Sequence, residues 1–351
     1  MSTSETLLNK KITHLNFASG FRGGERQTTL LIQQLAARGE HQVLVTRLDS
    51  EIARRCQGIK NLEIIKVARP YIRAHKELKH SHILHAHETK GAQVAMLMNK
   101  LYSIPYIVTR RVDNPIKDNF FTRAMYNNAS YCIALSNAIK QIILQKSTKA
   151  NVRVIPSAQT DFAVDADNVA KISKRFEGKF LIGNIGELEN THKGQDYLIK
   201  AIQRIAKEEP NIHFIFLGKG IDADRYKSMT ADLNNVTFEG FVNNVGDYIA
   251  CMKLFVFPSL NEGLGSILLD VMKLKVPVIA SNVGGIPDIV IDNQTGKLVP
   301  PKDSEAIYQQ IMHLYHHREE AEILSENAYQ NTFNYTPETM TDAYFKLYLT
   351  L

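Results

Sequence analysis

Short β-branched and aromatic runs alternate with helical stretches along most of this chain, and no other feature constrains its fold as strongly. Strands joined through helices run parallel, and a parallel sheet needs helices over both faces, so the pattern predicts a doubly wound α/β architecture. In the first half the runs fall at residues 12–18, 43–48, 62–67, 82–87, 106–109, 131–135 and 152–155. Between the first two, residues 27–38 place Leu30, Leu31, Leu35 and Ala36 on one helical face, and Gly39 marks the end of that helix. The alternation resumes at 180–186, 213–218, 254–258 and 277–280, with an amphipathic helix over 196–206 built on Leu198, Ile199, Ile202, Ile205 and Ala206. Residues 156–171 lack periodicity and contain Ser157, Gln159, Asp161 and Asp165, which reads as a linker.

At 351 residues the chain exceeds what one hydrophobic core sustains, so two domains are expected, residues 1–156 and 157–337. A last helix near 337–349 carries Met340, Tyr344, Leu347 and Tyr348 at helical spacing and is expected to pack as core. Periodicity leaves open whether it stays on the second domain or returns, over about 338–351, to the first. The scattered Cys56, Cys132 and Cys251 form neither a disulfide framework nor a metal motif, which fits a reducing compartment. The start lacks the apolar core of a signal peptide, and no stretch approaches eighteen apolar residues, so a cytoplasmic, non-spanning protein is expected.

The net charge of +6 is unevenly spread. Residues 1–156 hold 24 Lys and Arg against 10 Asp and Glu, a balance of +14, whereas residues 157–351 carry −8. A basic half points to an anionic partner: a phosphorylated acceptor, an acidic membrane surface or nucleic acid. The chain has no recognisable helix-turn-helix, RRM or zinc motif, so nucleic acid is not the expected partner.

The densest segment runs from Phe257 through Pro258, Ser259, Glu262, Gly263, Leu264, Gly265 and Asp270. A strand ends at Pro258, a glycine turn follows and a helix starts near Gly265, an arrangement that aims backbone N–H groups and a helix dipole at an anion such as a diphosphate. Asp270, about two helical turns after Glu262, can offer a carboxylate to a ribose diol. This segment resembles the signature of the retaining glycosyltransferases of GT-B fold, family 4 type, in its lipopolysaccharide and surface-glycan branch. There a Glu-Gly-Phe/Leu-Gly turn precedes a second acidic residue, and Glu262 and Asp270 stand at the two acidic positions.

The resemblance covers almost the whole chain. It includes the 186–194 segment ending in Lys193-Gly194, the 238–242 loop with Phe241 and Val242, the 283–288 and 295–301 stretches, the 21–25 glycine loop and the 84–88 Leu-His-Ala-His-Glu run. It implies two Rossmann-like doubly wound domains facing a central cleft, the first binding acceptor and the second binding a nucleotide-sugar donor. It also implies Glu262, His87 and Lys193 as catalytic residues, with no metal and no cofactor beyond the nucleotide-sugar co-substrate. Gly23, Gly24, Phe241, Val242, Ser259, Gly263, Leu264, Gly265 and Asp270 are implied donor contacts. Two departures stand out: Glu187 replaces the family's usual arginine, and Asp270 is one methylene shorter than the usual glutamate.

Thr109-Arg110-Arg111 follows another strand, and paired arginines hold phosphate in a bidentate manner, so Arg110 and Arg111 are candidate contacts to an anionic acceptor. His85 and His87 alternate on one strand face, so two ligands could meet there, but no carboxylate or cysteine cluster completes a metal set. The expected function is retaining transfer of a sugar to a lipid-linked anionic glycan or glycolipid acceptor, such as lipopolysaccharide core, with peripheral association at an anionic membrane. The alternatives are a nucleotide-sugar epimerase of the same fold and a non-catalytic nucleotide-sugar-binding subunit.

Overall fold

A computed structural model describes residues 10–351. The chain forms two compact units: residues up to Thr160 together with Tyr335–Leu351, and residues Asp161–Asn334.

Among the described residues, the first unit holds a parallel sheet of seven strands: β1 (Ile12–Asn16), β2 (Gln42–Arg47), β3 (Leu62–Val67), β4 (Ile83–Ala86), β5 (Tyr106–Arg110), β6 (Tyr131–Ala134) and β7 (Val152–Val154). They lie in the order β3-β2-β1-β4-β5-β6-β7, so the winding reverses between β1 and β4. In such sheets the reversal opens a crevice beyond the carboxyl ends of the strands, where ligands bind. Leu31 and Leu35 of the helix Gly23–Ala37 pack on Ile12, Ile83, Ile107 and Ile133, while Ile32 of the same helix joins Leu44, Ile52 and Cys56. That helix starts four residues before the stretch read from periodicity, because its first turn is the polar glycine loop rather than part of the apolar stripe.

The final helix, Pro337–Leu349, belongs to this first unit. Pro337 at its first turn and the Thr336 hydroxyl, which accepts from the Thr339 amide, start it. Met340, Tyr344 and Tyr348 are buried against Ile12, Ile83 and Ile107, each side chain contributing about 2 kcal/mol by removal from water.

The second unit holds, among its described residues, a parallel sheet of six strands: β8 (Phe180–Ile185), β9 (Ile212–Leu217), β10 (Val236–Gly240), β11 (Leu254–Phe257), β12 (Val278–Ser281) and β13 (Lys297–Val299). Their order, β10-β9-β8-β11-β12-β13, reverses between β8 and β11. Leu198, Ile199, Ile202 and Ile205 of the helix Gln195–Glu208 pack on Ile182, Phe214 and Val256.

Three local expectations need correction. Residues 238–240, taken as part of a loop, belong to β10, and 297–299 form a strand that the apolar-run pattern did not mark. The supposed linker turns helical at Ala166–Arg175: the Asp165 carboxylate accepts from the Asn168 amide and starts the helix, and only Ile172 is buried, so it shows no wide apolar stripe. Among the described residues, no helix is long and apolar enough to cross a membrane.

Candidate active site

The two winding reversals gather most of the chemically informative residues. In the second unit, Lys193 follows β8 and Glu262 follows β11, the two strands that flank the reversal. The Lys193 ammonium donates to Glu262 Oε2 at 2.6 Å, and it also lies 5.4 Å from the centre of the Phe257 ring. Backbone bonds hold the pair in place: the amides of Leu260 and Asn261 both donate to the His192 carbonyl, at 2.8 and 3.2 Å. Gly194, at φ +63°, closes that turn, where a Cβ would collide with the Pro258 carbonyl. On the other side the Gly285 amide donates to the Glu262 carbonyl at 3.0 Å, which ties the turn after β12 to the same point. Gly265 sits beneath Glu262, and the space a Cβ would occupy there lies 3.4 Å from Glu262 Cγ.

Ser259 is fully buried, and its hydroxyl has no hydrogen-bond partner among the described residues. Leu264 is buried and Asp270 is buried on the helix Ile267–Lys273. Phe241 is 68% exposed just beyond β10, and Val242 is half-buried. Among the described residues, no side-chain contact draws those two toward Glu262. Glu187, next to Gly186 at the end of β8, accepts from the Gln195 side-chain amide through its backbone carbonyl at 2.9 Å.

In the first unit, Gly23 and Gly24 open the helix after β1, His87 follows β4 and Arg111 follows β5. A Cβ on Gly24 would approach Arg111 Cδ to 3.2 Å, so glycine here lets the arginine lie across the helix start. Arg111 Nη2 reaches to 3.5 Å from His87 Nδ1. Arg110 turns elsewhere: it donates to the Tyr126 hydroxyl at 3.2 Å and to the Asn114 carbonyl. The two arginines therefore have separate partners and do not form one bidentate clamp.

Three groups that sequence reasoning missed organise this region. His14, on β1, stands opposite His85 on β4 in the strand register, which adds a third buried imidazole to the two foreseen. Its sequence signal is weak, because Thr13 and Asn16 of the same strand are polar too. Gln42, on β2, donates to the Ile32 carbonyl at 3.0 Å, so its Oε1 must face His14 Nε2, 3.0 Å away, and that nitrogen carries a proton. Burial lowers the His14 pKa to about 4, so the ring is neutral and its Nδ1 accepts. The partner at 2.9 Å, His87 Nε2, is therefore a donor, and the lone pair of His87 lies on Nδ1, toward Arg111. Glu88, the third group, accepts from the amides of Lys90 and Gly91 at 2.6 Å each and from that of Phe17 at 3.3 Å, which anchors the loop after His87.

His85 is bound on both sides, by the Tyr348 hydroxyl at 2.6 Å and Thr109 Oγ1 at 2.8 Å, and Thr109 also contacts the Tyr344 hydroxyl at 3.1 Å. The ligand nitrogens of His14, His85 and His87 lie within 4.8 Å of one another. Each ring nitrogen of the trio nevertheless faces a protein partner, and the Arg111 guanidinium adjoins it. A metal cation would have to displace those partners beside an existing positive charge, so the trio is better described as a hydrogen-bonded chain.

Burial also holds His85 and His87 well below the ordinary histidine range, with neighbouring imidazoles and Arg111 adding to the effect. Below pH 6.5 the unfolded chain takes up protons that these folded rings refuse, so stability is expected to fall as pH falls. The slope is about 1.4 kcal/mol per pH unit for each histidine kept neutral. Denaturant titrations at pH 6.5, 6.0, 5.5 and 5.0 measure it, and a flat profile over that window would contradict three neutral buried rings.

The model of the Glycosyltransferase Family 4 family matches residues 21–158, and that of Glycosyl transferases group 1 matches residues 165–331. The lipopolysaccharide core biosynthesis glycosyltransferase LpsE of Rhizobium meliloti is 23% identical over 350 residues, covering 96% of this chain and 98% of LpsE. The capsular polysaccharide biosynthesis glycosyltransferase CapM of Staphylococcus aureus is 28% identical over 236 residues, so the match spans 61% of this chain and 61% of CapM. The crystal structure of Anabaena Alr3699/HepE in complex with UDP superposes with a TM-score of 0.85 at 18% identity, covering 97% of this chain and 100% of that one. With these two domains in succession on two Rossmann-like parallel sheets, the chain belongs to the glycosyltransferases of the GT-B type.

Proposed function

We propose that this protein transfers a sugar from a nucleoside-diphosphate sugar to an anionic, lipid-linked glycan acceptor, with retention of anomeric configuration and without a metal. The observation that carries the reading is the Lys193–Glu262 pair, 2.6 Å apart at the carboxyl edge of the strands flanking the second reversal. Breaking the donor's glycosidic bond leaves negative charge on the diphosphate and positive character on the anomeric carbon. Lys193 and the N–H groups of the glycine turns at Gly263 and Gly265 would take up the phosphate charge, each charge-assisted bond contributing about 1.5–3 kcal/mol. Glu262 would accept from sugar hydroxyls and orient the ring, Asp270 would take the ribose, and the departing phosphate would receive the proton of the incoming hydroxyl.

In the first unit, the neutral His87 would meet the transferred sugar or the acceptor, and Arg111 would attract acceptor phosphate. The names of related proteins agree in kind: HepE structures are described with UDP and with UDP-glucose, and LpsE with lipopolysaccharide core. The balance of +14 over residues 1–156 supports an anionic acceptor and work at the cytoplasmic face of a membrane.

The test is thermal stabilisation by UDP, GDP, ADP and their sugars. A ligand at a hundred times its Kd adds about 2.7 kcal/mol, which raises the melting point of a unit this size by about 5–10 °C. One base is expected to stand out, and its sugar to be consumed only when an acceptor is present. Product formed from donor alone would favour an epimerase, and no shift with any nucleotide would overturn the donor site.

A further inference from the structure

A cavity in the first unit takes no part in the chemistry above. It has a volume of about 1080 Å³ and runs along the helix Thr89–Tyr102, from Lys90 to Lys100. Ten residues of helix rise about 15 Å, so this is a long trough, at the upper end of the volumes that hold small ligands. Its walls are apolar: Tyr71, Val94, Leu97, Phe121 and Ala124. At its rim Phe120 is 82% exposed, an unusual position for so large an apolar side chain. The charged residues that line it are Arg69, Lys90 and Lys100, and among the described lining residues there is no carboxylate.

One end of the trough adjoins the reaction edge of the sheet. Lys90 lies three residues beyond His87, and Tyr71 stacks on Phe17, ring centres 4.1 Å apart, whose amide is held by Glu88. An apolar trough with cations and no anions along it fits a hydrocarbon tail joined to an anionic headgroup.

We propose that this trough binds the hydrocarbon tail of the acceptor, with Arg69 and Lys90 meeting the phosphate that joins tail to glycan. The proposal deepens the acceptor reading above and rests on it. It narrows the acceptor class to one whose hydrocarbon tail is joined to its glycan through a phosphate, met at the Lys90 end of the trough, three residues beyond His87.

The test uses dodecyl phosphate below its micelle-forming concentration and the full chain. Wild type is expected to bind it at least tenfold more tightly than inorganic phosphate or dodecyl maltoside. Ala124→Trp, which fills the trough, and Phe121→Ser, which opens a wall from the exposed side, are expected to weaken binding at least tenfold while stabilisation by nucleotide is unchanged. Phe121→Ser serves if Ala124→Trp does not fold. Binding within twofold of wild type in a folded variant overturns the proposal.

Sedimentation with phosphatidylglycerol vesicles separates an acceptor trough from a membrane anchor. Unchanged vesicle binding by the variants supports the acceptor trough, and loss of vesicle and dodecyl phosphate binding in parallel overturns it. Failure of the donor reading would appear instead as absent nucleotide stabilisation, with dodecyl phosphate still bound.

Discussion

Replacing Lys193 with alanine is expected to lower kcat for sugar transfer by about a hundredfold to a thousandfold, the usual cost of removing one preformed group that stabilises transition-state charge. The substitution removes the cation nearest Glu262, so the carboxylate loses its 2.6 Å partner as well. The two residues should therefore act as a unit. In a double-mutant cycle, Lys193→Ala and Glu262→Ala are expected to be non-additive by about 0.5–3 kcal/mol, because once one partner is gone the other is already misplaced. Single-turnover rates with saturating donor measure this. A Lys193→Ala enzyme within threefold of wild type would remove Lys193 from the chemistry and leave it a structural ion pair.

His14→Phe is expected to have the next largest effect, although His14 would act on the proposed reaction only through its hydrogen bond to His87. The phenyl ring keeps the bulk and loses both hydrogen bonds, which leaves Gln42 Oε1 and His87 Nε2–H buried without partners. Each orphaned group costs about 1–3 kcal/mol, so a loss of roughly 2–6 kcal/mol in stability is expected by denaturant titration. His87 would then be free to carry its proton on Nδ1, where it would oppose the Arg111 donors. His14→Asn, which places an amide oxygen near the old Nδ1, should recover part of the rate by accepting from His87. If His14→Phe lowers stability but leaves kcat unchanged, His14 supports the core alone, and the lone pair of His87 is not used.

The fold was legible because most strands read as short runs rich in β-branched and aromatic residues, and eleven such runs coincide with strands. The missed ones lacked that signal. β13 has three residues and opens with Lys297, whose ammonium is buried by pairing with Glu320. Every residue of β10 is only half-buried, so its pattern is that of an edge. The motifs that name Glu262, Lys193 and His87 are local in sequence and could be read directly. Their relations could not. Lys193 and Glu262 are 69 positions apart, and Gln42, His14 and His87 come from three stretches of chain that only the β2-β1-β4 order sets side by side. Arg110 and Arg111 show the converse: adjacent in sequence, they part because successive residues leave an extended strand in opposite directions.

The return of the final helix to the first unit bears on the order in which a newly made chain folds. Domains generally fold from the N-terminus as they leave the ribosome. Here the sheet face of Ile12, Ile83 and Ile107, packed by Leu31 and Leu35, lacks Met340, Tyr344 and Tyr348 until the final helix has been synthesised, whereas residues Asp161–Asn334 are complete before then. The later-coded unit is thus the first able to reach its final state. The earlier one waits, its cluster around Ile12, Ile83 and Ile107 only partly covered, for the final helix to emerge.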